Sequence, residues 1–362
     1  MHGKYKKILI INRFGIGDLL FSTPMIRALK AWNPEACIDV MCNERGRHVL
    51  QHNKNISDII VFEKDVFRVA YRASKPFFIK KIFQFVKQIK VKKYDLAIDL
   101  SLGYKMSLFL KILGVKKRIG FNYRNRGKFL TEKVDMHGFN DKHVIEYYLD
   151  LLRLFGIGDF VRKNLELPLS TELCAWGENF IREKGLENKK IIGIAPGGGR
   201  SWGRYAIYRR WDPENFAYVA KKLSEKNNET FFLILGSKRE MDISYAIEKS
   251  LAGRALNLCG ELALPNSIAL IKKCKLILCN DGGILHIGVS QGVNTVSIFG
   301  PVNDKVYGPY PSSNKHKVVK AESVPCRPCY KNFKHKTCRT HDCLKKIDRD
   351  EVLKLAEESL EV

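Results

Sequence analysis

The sequence has no run of eighteen or more uncharged apolar residues, so it contains no ordinary transmembrane helix. The first strand-like stretch is too short for a signal-peptide core and no small-residue cleavage site follows it, so we expect a cytoplasmic protein. Acidic residues are scarce: 38 Asp and Glu face 63 Lys and Arg, which gives a formal net charge of +25. That surplus favours an anionic partner, namely nucleic acid, an acidic membrane surface or a phosphorylated substrate. A merely solvated basic surface is the alternative for most of the lysines.

Several signatures of nucleotide and nucleic-acid binding are also missing. Neither G-x-G-x-x-G nor G-x-x-x-x-G-K-[ST] follows the strand predicted at 191–195, so neither a dinucleotide fold nor a P-loop is supported. Zinc-finger spacing, an RNP-like aromatic motif and an isolated basic tail are lacking too. We therefore expect no nucleic-acid partner.

Ten cysteines are present, and six of them are scattered in stretches where they are predicted to be small buried hydrophobes. The other four cluster near the C-terminus as Cys326, Cys329, Cys338 and Cys343. A C-x-x-C pair with two further cysteines is compatible with zinc. The second pair is loosely spaced, however, and a structural loop of reduced thiols is the favoured interpretation. We assign no metal and no cofactor.

The length of 362 residues suits two domains. Strand patterns alternate with helical patterns, which predicts parallel sheets with helices on both faces. A first helix is predicted from about residue 18 to residue 32, ended or kinked by Pro24, and another over 142–155. Strands are predicted at 7–12, 37–41, 59–62, 94–100, 191–195, 231–235, 255–258, 276–278 and 293–299.

The segment 76–90 has helical periodicity, a Phe-rich apolar face and a basic polar face. Such a helix can lie on an anionic membrane. It can equally turn its apolar face to the core and leave a solvated lysine edge. The two interpretations have about the same weight at this stage.

Residues 280–286 are the most informative stretch. An apolar strand leads into an acidic, glycine-rich turn, a helix begins there, and a second apolar strand follows at 293–299. The N–H groups that open such a helix favour phosphate. His286 lies one turn after Asp281, where it could contact a phosphate or ribose or could be a structural histidine.

The same arrangement occurs near the N-terminus, where the strand at 7–12 leads into Asn12-Arg13-Phe14-Gly15-Ile16-Gly17-Asp18. Asp18 at the start of a helix should be ionised, and a carboxylate at a cleft edge can act as a general base. The alternative is an N-cap aspartate, which is a common helix opener. Two such units, each carrying an acid, suggest two α/β domains that share one cleft.

A third loop, residues 195–199, follows the strand at 191–195 and contains three consecutive glycines. Ligands of open α/β sheets bind at the carboxyl ends of strands. Arg204, Arg209 and Arg210 follow this loop and could bind a diphosphate. Arginines exposed to water are the alternative, but the combination of glycine, arginine and a strand end favours phosphate.

These motifs together resemble the family 9 glycosyltransferases, the lipopolysaccharide heptosyltransferases that use ADP-heptose. Residues 13–18 with 22–24 and 27–29 are similar to the N-terminal signature of that family, and residues 280–286 with 298–301 are similar to its nucleotide-sugar signature. Residues 259–262 correspond to a Gly-Glu segment, and the cysteine-rich tail is similar to the heptosyltransferase II branch. The resemblance spans residues 7 to about 347.

The resemblance implies a GT-B architecture: two Rossmann-like α/β/α domains facing a central cleft. It places an acceptor-binding domain at 1–170, a nucleotide-sugar-binding domain at 171–345 and a C-terminal helix at 346–362. It implies metal-independent transfer with inversion, to a phosphorylated, lipid-linked glycan at an anionic membrane surface, with the protein cytoplasmic or peripheral on the inner face of the inner membrane. Transfer of another nucleotide-activated sugar to a surface glycan and non-catalytic binding of a sugar nucleotide are the alternatives.

Carried over by position, the resemblance makes Asp18 the base that deprotonates the acceptor hydroxyl. The acceptor side would include Arg13, Gly15 and Gly17. Gly282 stands where the family usually has Ser or Thr, and Arg209 where it commonly has Lys. The donor site would comprise Gly197, Gly198, Gly199, Arg209, Gly236, Ser237, Glu261, Leu262, Asp281, Gly282, Gly283 and His286.

Overall fold

A computed structural model describes residues 5–158, 162–199, 202–334 and 337–361, without the side chain of Arg204. The chain divides into two compact units. Unit 1 consists of Met1–Phe139 and Val144–Glu166, and unit 2 consists of Asn140–His143 and Leu167–Val362. The domain limits expected from the sequence, at residues 170 and 345, stay predictions.

Unit 1 is built on one six-stranded parallel sheet with the strand order β3-β2-β1-β4-β5-β6. The central strands β1 and β4 are buried almost throughout, as expected for a parallel sheet covered on both faces. The strands are β1 (Lys7–Ile11), β2 (Cys37–Cys42), β3 (Asp58–Val61), β4 (Leu96–Asp99), β5 (Lys117–Tyr123) and β6 (Glu132–Met136).

The helices of unit 1 cover this sheet. They are α1 (Ile16–Phe21), α2 (Thr23–Trp32), α3 (Glu44–Leu50), α4 (Lys64–Ala73), α5 (Lys75–Lys90), α6 (Tyr104–Ile112) and α7 (Val144–Asp150). A 3-10 turn, Leu151–Phe155, follows α7 and ends at Gly156, whose left-handed backbone (φ 72°) stops the helix.

The single helix expected over residues 18–32 is wrong as a continuous element. The chain forms α1 and then α2, and Ser22 separates them. Pro24 lies in the first turn of α2, where its missing N–H would have no helical partner anyway. The proline therefore opens a second helix instead of kinking the first.

Unit 2 repeats the architecture with the strand order β12-β11-β10-β7-β8-β9, again all parallel. Its first strand lies beside its fourth, as β1 lies beside β4 in unit 1. The strands are β7 (Lys190–Ala195), β8 (Thr230–Ile234), β9 (Ala255–Asn257), β10 (Leu276–Asn280), β11 (Asn294–Ile298) and β12 (His316–Val319).

The helices of unit 2 include the C-terminal helix expected from the sequence, which packs on β10, β11 and β12 with Val352 and Ala356 fully buried. Two 3-10 turns, Gly203–Arg209 and Lys238–Glu240, lie in loops at the carboxyl edge of the sheet. The helices are α8 (Thr171–Glu183), α9 (Pro213–Lys226), α10 (Met241–Lys249), α11 (Leu264–Ile271), α12 (Gly283–Ser290), α13 (Asp304–Tyr307), α14 (Asp342–Lys345) and α15 (Arg349–Glu361).

Candidate active site

The predicted donor residues of unit 2 lie at one edge of its sheet. All six strands are parallel, so the loops after β7, β8, β9 and β10 leave the sheet at the same, carboxyl edge. Strands β7 and β10 are neighbours whose connections diverge, and this is the switch point where open α/β sheets bind ligands. The loop 196–199 and the turn 281–283 flank that point.

Asn280 fastens these two segments to each other. Its side-chain amide donates to the carbonyl of Pro196 at 2.7 Å, and its side-chain oxygen accepts the N–H of Trp211 at 2.9 Å. Asn280 is buried, so both bonds are made away from water, where an unmade hydrogen bond is costly. The glycine loop, the acidic turn and the segment that carries Arg209 are therefore held in one arrangement.

Arg209 and Asp281 form a buried ion pair, with 2.7 Å between Nη2 of Arg209 and Oδ2 of Asp281. The same Nη2 donates to the backbone carbonyl of Asp281 at 2.8 Å, and the guanidinium lies 4.9 Å from the ring centre of Trp202. Burial raises the pKa of Asp281, while Arg209 counteracts that shift. The charge of Arg209 is thus already engaged by a carboxylate, which the sequence pattern did not reveal.

His286 lies in the first half of α12 and is buried. Burial, and secondarily the charges of His143 and Arg209, lower its pKa to about 3. The ring is therefore neutral at physiological pH. A neutral imidazole can hydrogen-bond a ligand but adds no positive charge for a phosphate.

Glu240 is a component of this edge that the sequence motifs missed. Its carboxylate accepts the backbone N–H of Ser237 at 2.7 Å and the hydroxyl of Ser237 at 2.9 Å. It also fills the space beside Gly197, where an added Cβ would lie 1.7 Å from Oε1 of Glu240. A side chain at position 197 would therefore displace the Glu240 carboxylate, which connects the loop after β7 to the loop after β8.

The remaining predicted donor residues lie on the same edge with different exposures. Gly236 and Ser237 follow β8 and are half-buried. Of the two residues that follow β9, Glu261 is exposed and Leu262 is half-buried. Gly198 is buried and Gly199 is exposed. Gly282 is the N-cap of α12, and a Cβ built on it would meet no atom closer than 4.0 Å, so the site has room for the usual Ser or Thr. The side chain of Arg204 lies outside the described residues.

In unit 1, Asp18 lies at the carboxyl end of β1, which borders the switch point between β1 and β4. It occupies the third position of α1, so the alternative interpretation of Asp18 as the N-cap is wrong. The N-cap is Gly15, because its extended backbone precedes the first helical residue, and its N–H donates to the Asp18 carboxylate at 3.2 Å. Asn12 donates to the Asp18 carbonyl at 3.0 Å. Asp18 is half-buried. The pKa of Tyr148 is raised mainly by the burial of its hydroxyl and secondarily by the negative charge of Asp18.

Asp99 is a second acid at this switch point, and the sequence motifs did not include it. It ends β4 directly beside Ile11 of β1 and is buried. Burial raises its pKa to about 6, and the N–H of Ser101 and the charge of Arg13 work against that shift. Burial likewise lowers the pKa of the Arg13 guanidinium, which Asp99 opposes.

We expect Asp99→Asn to stabilise the protein increasingly as the pH rises. In the wild type, the native state keeps a proton on Asp99 between about pH 4 and pH 6 that the unfolded chain has released, so the free energy of unfolding falls over this window. The amide of the variant does not titrate, and its advantage should grow by about 2 kcal/mol between about pH 4.5 and pH 7.5. Chemical denaturation at both pH values measures this. The control is Asp348→Asn, at an exposed residue just before the last helix. If the difference in free energy of unfolding between Asp99→Asn and the wild type is as independent of pH as that of the control, the prediction is contradicted.

The four clustered cysteines line one small cavity together with Trp202, Tyr208 and His341. Burial first, and then the three other thiols, raise the pKa of Cys343 to about 11, so it is a neutral thiol. Within the described parts of the chain, no group of three or more His, Cys, Asp or Glu side chains is arranged to hold a metal ion. The ring of Trp202 also packs at a tilt against that of Tyr330, at 4.6 Å between ring centres, so the cysteine-rich segment contacts the loop that carries Arg209.

Solved structures share this architecture. The family 9 glycosyl transferase of Veillonella parvula covers 98% of this chain and 97% of its own, with a TM-score of 0.82 and 22% identity. The Escherichia coli heptosyltransferase WaaC, solved with ADP-2-deoxy-2-fluoro heptose, covers 87% of this chain and 93% of its own, with a TM-score of 0.66 and 15% identity. The two Rossmann-like units thus have the GT-B fold that the sequence predicted.

The sequence comparisons give the family. The model of glycosyltransferase family 9 (heptosyltransferase) matches residues 82–339. Lipopolysaccharide heptosyltransferase 2 of Salmonella typhimurium is 26% identical over 327 residues, which cover 87% of this chain and 88% of that protein. The chain belongs to glycosyltransferase family 9 and is a glycosyltransferase, which confirms the resemblance found in its motifs.

Proposed function

We propose that this enzyme transfers heptose from ADP-heptose to the inner core of lipopolysaccharide, with inversion at the anomeric carbon and without a metal ion. The observation that carries the proposal is the convergence of the 196–199 loop and the 281–283 turn at the switch point of unit 2, in a chain of this family. A fold relative was solved with a fluorinated ADP-heptose, and the curated relatives include lipopolysaccharide heptosyltransferases.

On the donor side, the leaving group is ADP, and its diphosphate must be stabilised as the bond to the sugar breaks. Backbone N–H groups at the start of α12 and in the 196–199 loop are the proposed partners. Arg209 holds the acidic turn through Asp281 and adds positive charge beneath it. These fixed dipoles and the cation would take the place of a metal ion in this mechanism.

On the acceptor side, we assign Asp18 as the general base. It would take the proton of the attacking hydroxyl while that oxygen forms a bond to the anomeric carbon, and ADP would leave from the opposite face. The backbone bond from Gly15 orients the carboxylate. A half-buried position keeps it accessible to substrate.

The charges around this edge favour a phosphorylated acceptor. Arg13 follows β1, Lys64 begins α4 after β3, and Lys105 lies in the first turn of α6 after β4. The positive charges of Arg13 first, and also of Lys105, lower the pKa of Lys64, so these groups lie close enough to repel one another. A bound anion would relieve that repulsion. A lipid-linked acceptor would also place the enzyme at the inner face of the inner membrane as a peripheral protein.

A donor screen followed by a transfer assay tests this function. We expect ADP-heptose to bind the folded enzyme most tightly and therefore, at equal concentration, to raise the melting temperature more than other nucleotide sugars. Purified enzyme should then add one heptose to a lipopolysaccharide inner-core acceptor in the presence of EDTA, with inverted anomeric configuration by NMR. A larger shift and transfer with a different nucleotide sugar would contradict the donor, and binding without transfer of any sugar would contradict the activity.

A further inference from the structure

The α4–α5 surface, defined here as the outward faces of helices α4 and α5, exposes an unusual amount of apolar side chain. Phe83 is 68% exposed, Val69 65% and Ile79 64%. The other apolar side chains exposed on these two helices are Val66, Tyr71, Phe77 and Ile82. Scattered apolar residues are normal on a surface, but a contiguous group marks an interaction site. We propose that the α4–α5 surface docks the enzyme on an anionic lipid bilayer.

Packing within unit 1 does not account for these side chains. The helices bury their inner faces through Ala70 and Ile89, and Phe67 and Phe85 pack against Phe62 at 5.1 and 5.3 Å between ring centres. The core is therefore satisfied by one side of the helix pair. The sequence left open whether the Phe-rich face of residues 76–90 is core or surface, and the structure shows that much of it is surface.

The charges beside this apolar group specify an anionic occupant. Helix α5 carries five lysines and no acidic residue. Ile79, Phe83 and Lys87 follow one another at intervals of four, so apolar and basic side chains share one face. Lys80, Lys87 and Lys90 are exposed. A second copy of this basic surface would repel it, whereas acidic headgroups attract lysines while the apolar side chains enter the headgroup boundary.

The geometry fits a helix that lies in the plane of a membrane. Helix α5 has 16 residues and is about 24 Å long. No helix among the described residues is long and apolar enough to cross a bilayer. The combination of aromatic and aliphatic side chains with lysines is that of an interfacial helix.

The helices that carry this surface also contact the acceptor edge of unit 1, the group around Arg13 and Lys64, through their inner faces. The Arg13 guanidinium lies 5.0 Å from the ring centre of Phe62, and Phe62 packs directly on α4 and α5 through Phe67 and Phe85. Lys64 is both the first residue of α4 and a member of the basic group around Arg13. Docking these helices would therefore bring the acceptor edge to the lipid surface; only this last step rests on the proposed function.

Vesicle co-sedimentation of the full-length protein tests the electrostatic part. We expect Lys80→Glu/Lys87→Glu/Lys90→Glu to weaken partition onto vesicles containing phosphatidylglycerol at least about tenfold. The matched control, Lys221→Glu/Lys249→Glu/Lys354→Glu, makes the same change of net charge at exposed lysines on helices of unit 2. Equal loss in both triple variants would show a general effect of net charge and would overturn the proposal, as would unchanged binding of the first variant.

The apolar part has its own matched pair. Phe83→Ser should reduce partition at least about tenfold, whereas Tyr245→Ser, at a residue 63% exposed on α10, should not. Circular dichroism and the melting temperature confirm that each variant is folded. Equal binding by Phe83→Ser and the wild type would overturn the proposal.

Transfer assays separate a failure of docking from a failure of the proposed function. The α4–α5 variants should retain transfer to a delipidated, water-soluble acceptor and lose it with acceptor embedded in vesicles. An enzyme that binds vesicles through this surface but transfers heptose to neither acceptor would contradict the function and leave the docking surface supported. If the variants transfer heptose equally well to the water-soluble and to the vesicle-embedded acceptor, docking through this surface does not contribute to catalysis.

Discussion

Asp18→Asn should reduce heptose transfer by about a hundredfold to ten-thousandfold while the enzyme keeps its affinity for ADP. A general base contributes about 10² to 10⁴ in rate, and an amide cannot accept the proton of the acceptor hydroxyl. The substitution keeps the shape of the side chain, and its amide oxygen can still accept the N–H of Gly15. The loss should therefore appear in kcat and not in donor binding. Initial rates and calorimetric titration with ADP measure the two quantities separately.

The control for this experiment is Asp348→Asn, in which an exposed carboxylate that accepts the N–H of Asp350 at 2.9 Å is replaced by the same amide. Asp348 lies at the start of α15, so its variant should transfer heptose at the wild-type rate. A rate for Asp18→Asn close to that of this control would show that another group takes the proton. Asp99, the other acid at this switch point, would then be the first residue to substitute.

The central strands could be predicted from the sequence because burial on both faces of a parallel sheet leaves uninterrupted apolar runs. β1 and β10 are such runs, and both were predicted close to their observed limits. The strands that the sequence did not reveal are β5, β6 and β12. β6 and β12 are edge strands, half-exposed and rich in charged or polar residues, so neither apolar continuity nor clean alternation identifies them.

The residues of the candidate site could likewise be predicted only in part. Motifs that are continuous in sequence, such as residues 12–18 and 280–286, predicted two strand ends as the places of the chemistry, and the structure puts both at switch points of their sheets. Pairings between distant positions could not be predicted in this way: Arg209 and Asp281 are 72 residues apart, and Glu240 reaches Gly197 from the next strand over. Such contacts depend on strand order, which no local pattern specifies. The same holds for Asp99, whose surroundings depend on β4 lying beside β1.

Arg209→Met should lower the free energy of unfolding by about 3–5 kcal/mol at pH 7.5. The variant leaves the Asp281 carboxylate buried without its cation, and breaking a buried pair in this way is strongly destabilising. Loss of Arg209 also raises the pKa of Asp281 beyond the increase that burial already causes. The native variant then binds a proton that the unfolded chain releases, so its deficit should shrink as the pH falls toward 5. Denaturant unfolding at pH 5 and pH 7.5 measures both effects.

Arg210→Met is the matched control, because the Arg210 side chain is 25% exposed and lies 4.0 Å from Glu240, which keeps its bonds to Ser237. It should cost about 1 kcal/mol or less. If Arg209→Met costs no more than this control, the ion pair does not stabilise the acidic turn. The double variant Arg209→Met/Asp281→Asn removes both charges and should recover part of the lost stability.

That double variant also separates two roles of Arg209. Its charge is partly compensated by Asp281, so the guanidinium could serve only to fix the turn that precedes α12, or it could also attract the diphosphate. Because we place both Arg209 and Asp281 in the donor site, we compare the double variant with Asp281→Asn alone, and we expect the double variant to bind ADP at least about tenfold more weakly. Unchanged ADP affinity would show that Arg209 only stabilises the turn before α12. The backbone N–H groups of α12 and of the 196–199 loop would then bind the diphosphate without Arg209.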